Sequence, residues 1–156
     1  MTIRRARHTD VDAIGELWCE FMDFHEDYDP FYRRAKNGSK AFHTFIDEQI
    51  SSRSALVLVA VHDHFVCAYL LARIDTRPPI FEDRKFGAIY DLAVSAPYRK
   101  QGVGEGLYKE SVLWFKKRRI DRIELTVATS NPLATRFWEK HGFRPYYERR
   151  FIEIGS

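Results

Sequence analysis

The sequence has few of the features that mark metal sites, disulfide scaffolds and membrane proteins. Its 156 residues include only two cysteines, Cys19 and Cys67, which form no C-x-x-C pair and no Cys/His cluster. We therefore expect no metal and no disulfide framework, and reduced thiols fit a cytoplasmic location. No apolar run reaches the roughly eighteen residues of a membrane span, and the charged N-terminus does not resemble a signal peptide.

Positive and negative side chains nearly balance, so the chain has no large excess of either charge. The net charge is +3, and the one dense basic run is KKRR, residues 116–119. Such a run at a helix end complements the negative pole of the helix dipole, which we favour over nucleic-acid contact. His25 lies among acidic residues, but no second histidine stands at ligand spacing. We expect neither a nucleic-acid nor a membrane partner.

Apolar residues are plentiful and periodic. The chain is 45% hydrophobic and 15% aromatic, which argues against disorder, and its length fits one domain over residues 1–156. The periodicity predicts the order β-α-α-β-β-β-α-β-α-β, with Thr9 capping the first helix and a last strand over 143–154. The third predicted helix covers about 102–118, and the fourth has Pro132 in its first position and ends at Gly142. This order indicates a single-domain α/β fold with a mixed central sheet flanked by helices.

Three glycines occur in YRKQGVGEGLYKE, residues 98–110, between a predicted strand and a predicted helix. A strand, a glycine-rich turn and a helix direct free N–H groups and a positive helix pole at one point, so we expect a pyrophosphate site. The stretch lacks the lysine and hydroxyl of a P-loop and the last spacing of a dinucleotide fingerprint. A tight turn with packing glycines is the alternative.

Two wider segments resemble the GNAT superfamily of acetyl-CoA-dependent N-acetyltransferases. Arg99-x-x-Gly102-x-Gly104, within DLAVSAPYRKQGVGEGLYKE, matches the R/Q-x-x-G-x-G/A signature of the family. Downstream, TSNPLATRFWEKHGF resembles the N-x-x-A-x-x-F-Y-x-x-x-G-F segment of the family, except at one position. The resemblance implies the GNAT fold, acetyl-CoA as co-substrate and direct transfer of the acetyl group to an amine.

The resemblance also implies cofactor-binding roles along these segments. The strand backbone would hold the pantetheine arm and the thioester oxygen, the loop amides would hold the pyrophosphate from Arg99 or Lys100 onward, and a second segment would touch or support the cofactor. The matching residues are Leu92, Ala93 and Val94; Arg99, Lys100, Gln101, Gly102, Val103, Gly104 and Glu105; and Asn131, Ala134 and Phe137.

The sequence departs from the family pattern at the expected catalytic side chains. Trp138 stands where a tyrosine commonly serves as the acid, and an indole N–H is no acid at neutral pH. Ala88 and Tyr90 stand at the two positions where family members carry a glutamate base. Tyr90 is the catalytic candidate, to orient the amine or donate to the thiolate, with a packing role as the alternative. Other possible acids are Tyr108, Tyr146 and Tyr147. Strand alternation places Asp91 on the other face, unless a bulge intervenes.

The resemblance places acceptor specificity in the first two helices, their loop, and the loop before the glycine-loop strand. The matching segments are CEFMDFHEDYDPFYRR, residues 19–34, whose composition is the more informative, and DTRPPIFEDRK, residues 75–85. The acids of the first segment could hold a cationic amine and its aromatic rings could cover a carbon chain. Glu26, Tyr28 and Asp29 are the substrate-binding candidates, although a solvated helix end explains the same composition.

We therefore expect an N-acetyltransferase acting on a primary amine of a small molecule, polyamine-like or amino-acid-like. A protein or peptide N-acetyltransferase and a CoA-binding protein without turnover remain alternatives. Members of this family often form homodimers, so a homodimer is a candidate assembly by analogy.

Overall fold

Five strands form one sheet, in the order β1-β2-β3-β4-β5, in the computed structural model, which describes residues 1–155. The strands are Thr2–Arg5 (β1), Ala55–His62 (β2), Phe65–Thr76 (β3), Lys85–Val94 (β4) and Ile123–Leu125 (β5). The helices are Val11–Glu26 (α1), Gly38–Ser51 (α2), Val103–Lys117 (α3) and Pro132–Lys140 (α4). β1 to β4 pair antiparallel, and β5 lies parallel to β4.

The apolar runs of β2 and β3 form the centre of the sheet. Residues 55–60 and 67–72 are buried without interruption, as in a sheet that is covered on both faces. α1 and α2 pack on one face through Ile14, Phe42 and Ile46. α3 covers the other face, where the Phe115 ring lies so close to Gly87 that no Cβ would fit there.

The start of α1 differs from the prediction. Thr9 lies in a short 3₁₀ turn, His8–Asp10, and Asp10 is the residue that precedes the helix. The Asp10 carboxylate accepts from Arg4 at 2.7 and 2.9 Å and from the Arg7 N–H at 2.7 Å. The hydrogen bond from Arg4 lowers the pKa of Asp10 below its ordinary value. This ion pair joins β1 to the beginning of α1, which Thr9 could not do.

Contacts along the chain define two compact units, Met1–Thr126 and Val127–Ser156. The first unit contains the sheet and α1 to α3. The second contains α4, which ends as predicted at Gly142, with φ +86° and the Phe143 N–H donating to the Trp138 carbonyl at 3.1 Å. No described helix is long and apolar enough to cross a membrane.

The predicted last strand is absent, since residues 144–155 have no regular secondary structure and join no described ladder. Two pairs of adjacent apolar residues, 146–147 and 151–152, break the alternation that a half-buried strand needs, and all four are exposed. Aromatic and β-branched content alone therefore gave the wrong prediction.

Candidate active site

The loop between β4 and α3 is open on one side. Its backbone adopts positive φ at Lys100 (60°) and at Gly102 (79°), and Gly102 is the cap residue of α3. A Cβ added at Gly102 would meet no heavy atom within 4 Å. The glycine therefore serves a left-handed turn beside empty space, which a ligand can use to approach the backbone closely.

The first turn of α3 presents unsatisfied donors to that space. The Gly106 N–H donates to the Gly102 carbonyl at 3.0 Å, so the amides of Val103 and Gly104 have no acceptor within the helix. The positive pole of α3 adds to their attraction for an anion. Gly106 has a different role, because its Cβ would lie 2.6 Å from Ile3 Cδ1, so it permits α3 to pack on β1.

Side chains brace the loop from within. Arg99 Nε donates to the Val94 carbonyl at 2.9 Å, and Gln101 Nε2 donates to the Pro97 carbonyl at 2.8 Å. The Arg99 main-chain N–H donates to the carbonyl of residue 96 at 3.3 Å. Of the two predicted starting points for the free amides, the structure therefore favours Lys100, whose exposed side chain supplies positive charge.

The second half of β4 lacks a strand neighbour on one edge. β5 pairs with β4 only at Gly87–Ile89, whereas β3 continues to pair as far as Val94. Within the described sheet, the main-chain groups of 92–94 on the β5 side belong to no ladder. Such groups can hydrogen-bond an extended ligand, as predicted for Leu92, Ala93 and Val94.

A β-bulge at Tyr90 changes the direction of the next residue. Leu71 pairs with Asp91 and Ala72 pairs with Ile89. Tyr90 is therefore an extra residue of β4 that has no partner in β3. Asp91 consequently lies on the face of Tyr69 and Leu71, under α1 and α2. Uninterrupted alternation, which the sequence analysis assumed unless a bulge intervened, would have placed it toward α3.

Asp91 is a half-buried carboxylate with a tyrosine partner. The hydroxyl of Tyr69, a fully buried residue, donates to Asp91 Oδ2 at 3.0 Å. Burial raises the pKa of Asp91 from 3.8 to about 6, while the Tyr69 hydrogen bond and the nearby His25 oppose that rise. Burial also raises the pKa of Tyr69 well above its usual value, and Asp91 adds to that effect. The carboxylate is therefore mostly ionised near neutrality and able to accept a proton.

Tyr90, the predicted catalytic residue, is half exposed at 51%. Its hydroxyl donates to Asp75 Oδ2 at 2.5 Å, and the Arg73 guanidinium lies 5.8 Å from its ring centre. Partial burial raises the pKa of Tyr90, and the bond to Asp75 raises it further. The hydroxyl proton is thus held by a neighbouring carboxylate, and the catalytic role of Tyr90 stays a prediction.

Aromatic rings cluster at the C-terminal end of α1. His25 Nδ1 donates to the Phe21 carbonyl at 2.7 Å, and the rings of Phe21 and Phe24 lie 4.2 and 5.8 Å from the imidazole. Tyr28 and Tyr32 each lie 6.1 Å from the same ring. The Arg99 guanidinium is 5.7 Å from Phe24, so this cluster borders the glycine loop.

The three predicted acceptor residues have local contacts. Tyr28 belongs to the aromatic cluster, Glu26 accepts from Arg33 at 3.1 Å, and Asp29 accepts from the Phe31 N–H at 2.9 Å. Both carboxylates thereby help to fix the loop that follows α1. Their binding of an acceptor stays a prediction.

The second unit carries the other predicted cofactor residues. Asn131 Oδ1 accepts from the Ala134 N–H at 3.1 Å, which caps α4, and Pro132 occupies the first helical position as predicted. The Phe137 ring packs 4.8 Å from those of Trp138 and His141. Cofactor contact by Asn131, Ala134 and Phe137 stays a prediction.

A family model described as the acetyltransferase (GNAT) family matches residues 14–143. The chain belongs to the GNAT family. The resemblance seen in the two glycine-containing segments is thereby confirmed, as is the fold, a mixed five-stranded sheet flanked by helices.

Curated relatives of this GNAT protein are N-acetyltransferases. An uncharacterised N-acetyltransferase of Archaeoglobus fulgidus is 28% identical over 92% of the chain and 93% of the relative. An N-alpha-acetyltransferase of Sulfurisphaera tokodaii is 29% identical over 91% and 79%. The L-amino acid N-acetyltransferase AaaT of Escherichia coli is 26% identical over 92% and 82%. Acetyltransferase membership is therefore supported, while the acceptor differs among relatives.

Solved structures share the GNAT fold over nearly the whole chain. A mutant of the BH1408 protein of Bacillus halodurans has a TM-score of 0.89 at 24% identity, covering 99% of this chain and 100% of that one. A protein of Clostridium acetobutylicum that is described as a predicted acetyltransferase, solved with acetyl-CoA, has a TM-score of 0.77 at 15% identity, covering 98% and 96%. These likenesses show that the chain has the same fold as these proteins.

Proposed function

We propose that this GNAT protein transfers the acetyl group of acetyl-CoA to a primary amine of a small molecule that is polyamine-like or amino-acid-like. One observation carries the proposal, namely the open loop at Gly102, which lies at the N-terminus of α3 and follows the half of β4 that β5 leaves unpaired on one edge. The two features together offer an anion site and an extended row of main-chain groups, which suit a pyrophosphate and a pantetheine arm.

The binding roles follow from the donors. The amides of Val103 and Gly104 would hold the pyrophosphate, because they point out of α3 without helical acceptors, and Glu105 would bind beside them in the same turn. Residues 92–94 would hydrogen-bond the pantetheine arm through their main chain. An amide of that strand would also bind the thioester oxygen as negative charge develops on it during transfer.

A small amine is the favoured acceptor. The aromatic cluster around His25 can cover a short carbon chain, and the carboxylates of Asp75 and Asp91 lie on the same face of the sheet. The relationship to an L-amino acid N-acetyltransferase supports the amino-acid-like form. The relationship to an N-alpha-acetyltransferase supports the second candidate, transfer to the N-terminal amine of a peptide.

A thiol-release assay with acetyl-CoA distinguishes these functions. The amine panel comprises spermidine, L-lysine, L-phenylalanine, kanamycin and an unblocked peptide, with the N-acetylated peptide as its matched control. We expect release with at least one small amine and formation of the acetylated product. Release with the unblocked peptide alone would support the second candidate. Binding of acetyl-CoA without thiol release by any amine would identify a non-catalytic CoA-binding protein and contradict the proposal.

A further inference from the structure

We propose that Asp91 is the general base of this acetyl transfer and that Tyr69 positions its carboxylate. The inference rests on the proposed function, because it needs an amine next to the thioester. The two strand positions at which family members carry a glutamate hold Ala88 and Tyr90 here. A proton acceptor within the protein must therefore come from a different position.

The bulge in β4 provides that position. Asp91 immediately precedes Leu92, the first of the residues 92–94 whose β5 edge has no strand neighbour and whose main chain would hold the acetyl thioester. Because Tyr90 is the extra residue, the Asp91 side chain lies on the face that α1 and α2 cover, where the aromatic cluster and the predicted acceptor loop also lie. A regular strand would direct the same carboxylate toward α3 and away from an acceptor.

The surroundings of Asp91 do not suit a purely structural carboxylate. Tyr69 faces it from β3 and is a neutral donor, and His25 faces it from α1. Among the described residues, no arginine or lysine forms an ion pair with Asp91. A desolvated carboxylate without a cation is costly to maintain, and the same desolvation raises the pKa of Asp91 above that of an ordinary aspartate. Both properties are typical of a catalytic base.

His25 is the rival candidate. Its Nδ1 donates to the Phe21 carbonyl, which can only accept, so Nε2 is the nitrogen left for exchanging a proton with a substrate. Aromatic rings surround this imidazole on several sides, which restricts its approach to a substrate. Asp91 is adjacent to the strand that would bind the thioester, whereas His25 reaches the site only from α1.

The proton and electron balance is simple. The Asp91 carboxylate takes one proton from the ammonium form of the acceptor, and the freed lone pair attacks the thioester carbon. A C–N bond forms, the C–S bond breaks, and the thiolate receives the second proton released by nitrogen. Asp91 then returns its proton to solvent, so each turnover yields one amide, one thiol and one proton.

The test compares pH profiles of kcat/KM in four variants, using the panel amine with the highest wild-type rate. Asp91→Asn should lower kcat/KM by about 10²–10⁴-fold. It should also remove the acid limb, which is the fall of kcat/KM at low pH as the base is protonated. The affinity for acetyl-CoA, measured by calorimetry, should stay unchanged. Tyr69→Phe should move that limb to higher pH, because the lost hydrogen bond stabilised the ionised carboxylate. His25→Gln should keep the limb. Asp63→Asn, in the exposed turn between β2 and β3, is the matched control and should match the wild type.

Loss of the acid limb in His25→Gln, with Asp91→Asn within tenfold of the wild type, would overturn the assignment. A second measurement does not depend on turnover. In protein labelled with ¹³C at aspartate carboxyls, the resonance lost in Asp91→Asn should titrate near pH 6. Titration near pH 4 would also overturn the assignment. If no amine releases thiol while this resonance titrates near pH 6, the proposed function fails and the basic carboxylate stands.

Discussion

Replacing Asp91 with asparagine should stabilise the protein at alkaline pH. The folded-state pKa of Asp91 is raised from 3.8 to about 6, which is about two pKa units, and each unit corresponds to about 1.4 kcal/mol. Ionised Asp91 therefore lowers the free energy of unfolding by up to about 3 kcal/mol. Asparagine has nearly the same shape and can still accept from Tyr69, so it should remove this penalty.

The upward direction of the Asp91 pKa shift determines the pH range in which the two proteins differ in stability. Below pH 3.8 the carboxyl is protonated in both the folded and the unfolded state, and wild type and Asp91→Asn should be similarly stable. Between pH 3.8 and about 6 the unfolded chain ionises first, so the wild type loses stability as the pH rises. Above about pH 6.5 the advantage of the variant should be complete, corresponding to about 6–12 °C in Tm for a chain of this length.

Urea unfolding of wild type, Asp91→Asn and Asp63→Asn at pH 4, 6 and 8 measures the effect. Other carboxylates titrate equally in all three proteins, so differences between variants isolate Asp91. The exposed control should follow the wild type at each pH. If Asp91→Asn were the less stable protein at pH 8, the ionised carboxylate would be stabilising the fold, and our account of its burial would be wrong.

Three further predictions concern cofactor binding, catalysis and folding. Gly102→Ala should lower the free energy of unfolding by about 1 kcal/mol, because the backbone there is left-handed, and should weaken the binding of acetyl-CoA about 10–100-fold in calorimetry. The matched control, Gly106→Ala, should lower Tm through a clash with β1 and leave the affinity for acetyl-CoA unchanged. Tyr90→Phe should reduce kcat less than tenfold, and a loss beyond about a thousandfold would make Tyr90 catalytic. Asp10→Asn should lower the free energy of unfolding, measured in urea at pH 7, by about 1–3 kcal/mol. The difference should disappear in acid, because protonation of the Asp10 carboxylate breaks its ion pair with Arg4 in the wild type.

Much of the fold could be predicted from the pattern of apolar residues. The buried runs in β2 and β3 have no polar interruption, and α3 begins within one residue of the predicted start. These elements are specified locally, by periodicity and by a glycine at the helix start. The last predicted strand failed because a strand also needs a partner, which local composition does not provide.

The glycine loop between β4 and α3 could also be predicted, because its residues and their spacing lie in one short segment. Its binding of acetyl-CoA stays a prediction. The direction of Asp91 could not be predicted, since it depends on a register shift between Leu71 and Ala72 that no sequence pattern marks. Tyr69 offered one faint signal, a hydroxyl in the otherwise apolar run CAYLLA, residues 67–72. A buried hydroxyl needs a partner, and that requirement could have directed attention to a carboxylate on a neighbouring strand.

The central claim is that this GNAT protein is an enzyme that acetylates a small amine. Incubation with acetyl-CoA and the amine panel, followed by mass spectrometry, tests it most directly. We predict one small amine that gains an acetyl group in the same molar amount as the thiol released. If the protein binds acetyl-CoA but neither thiol nor acetylated amine exceeds the protein-free control, the claim is contradicted.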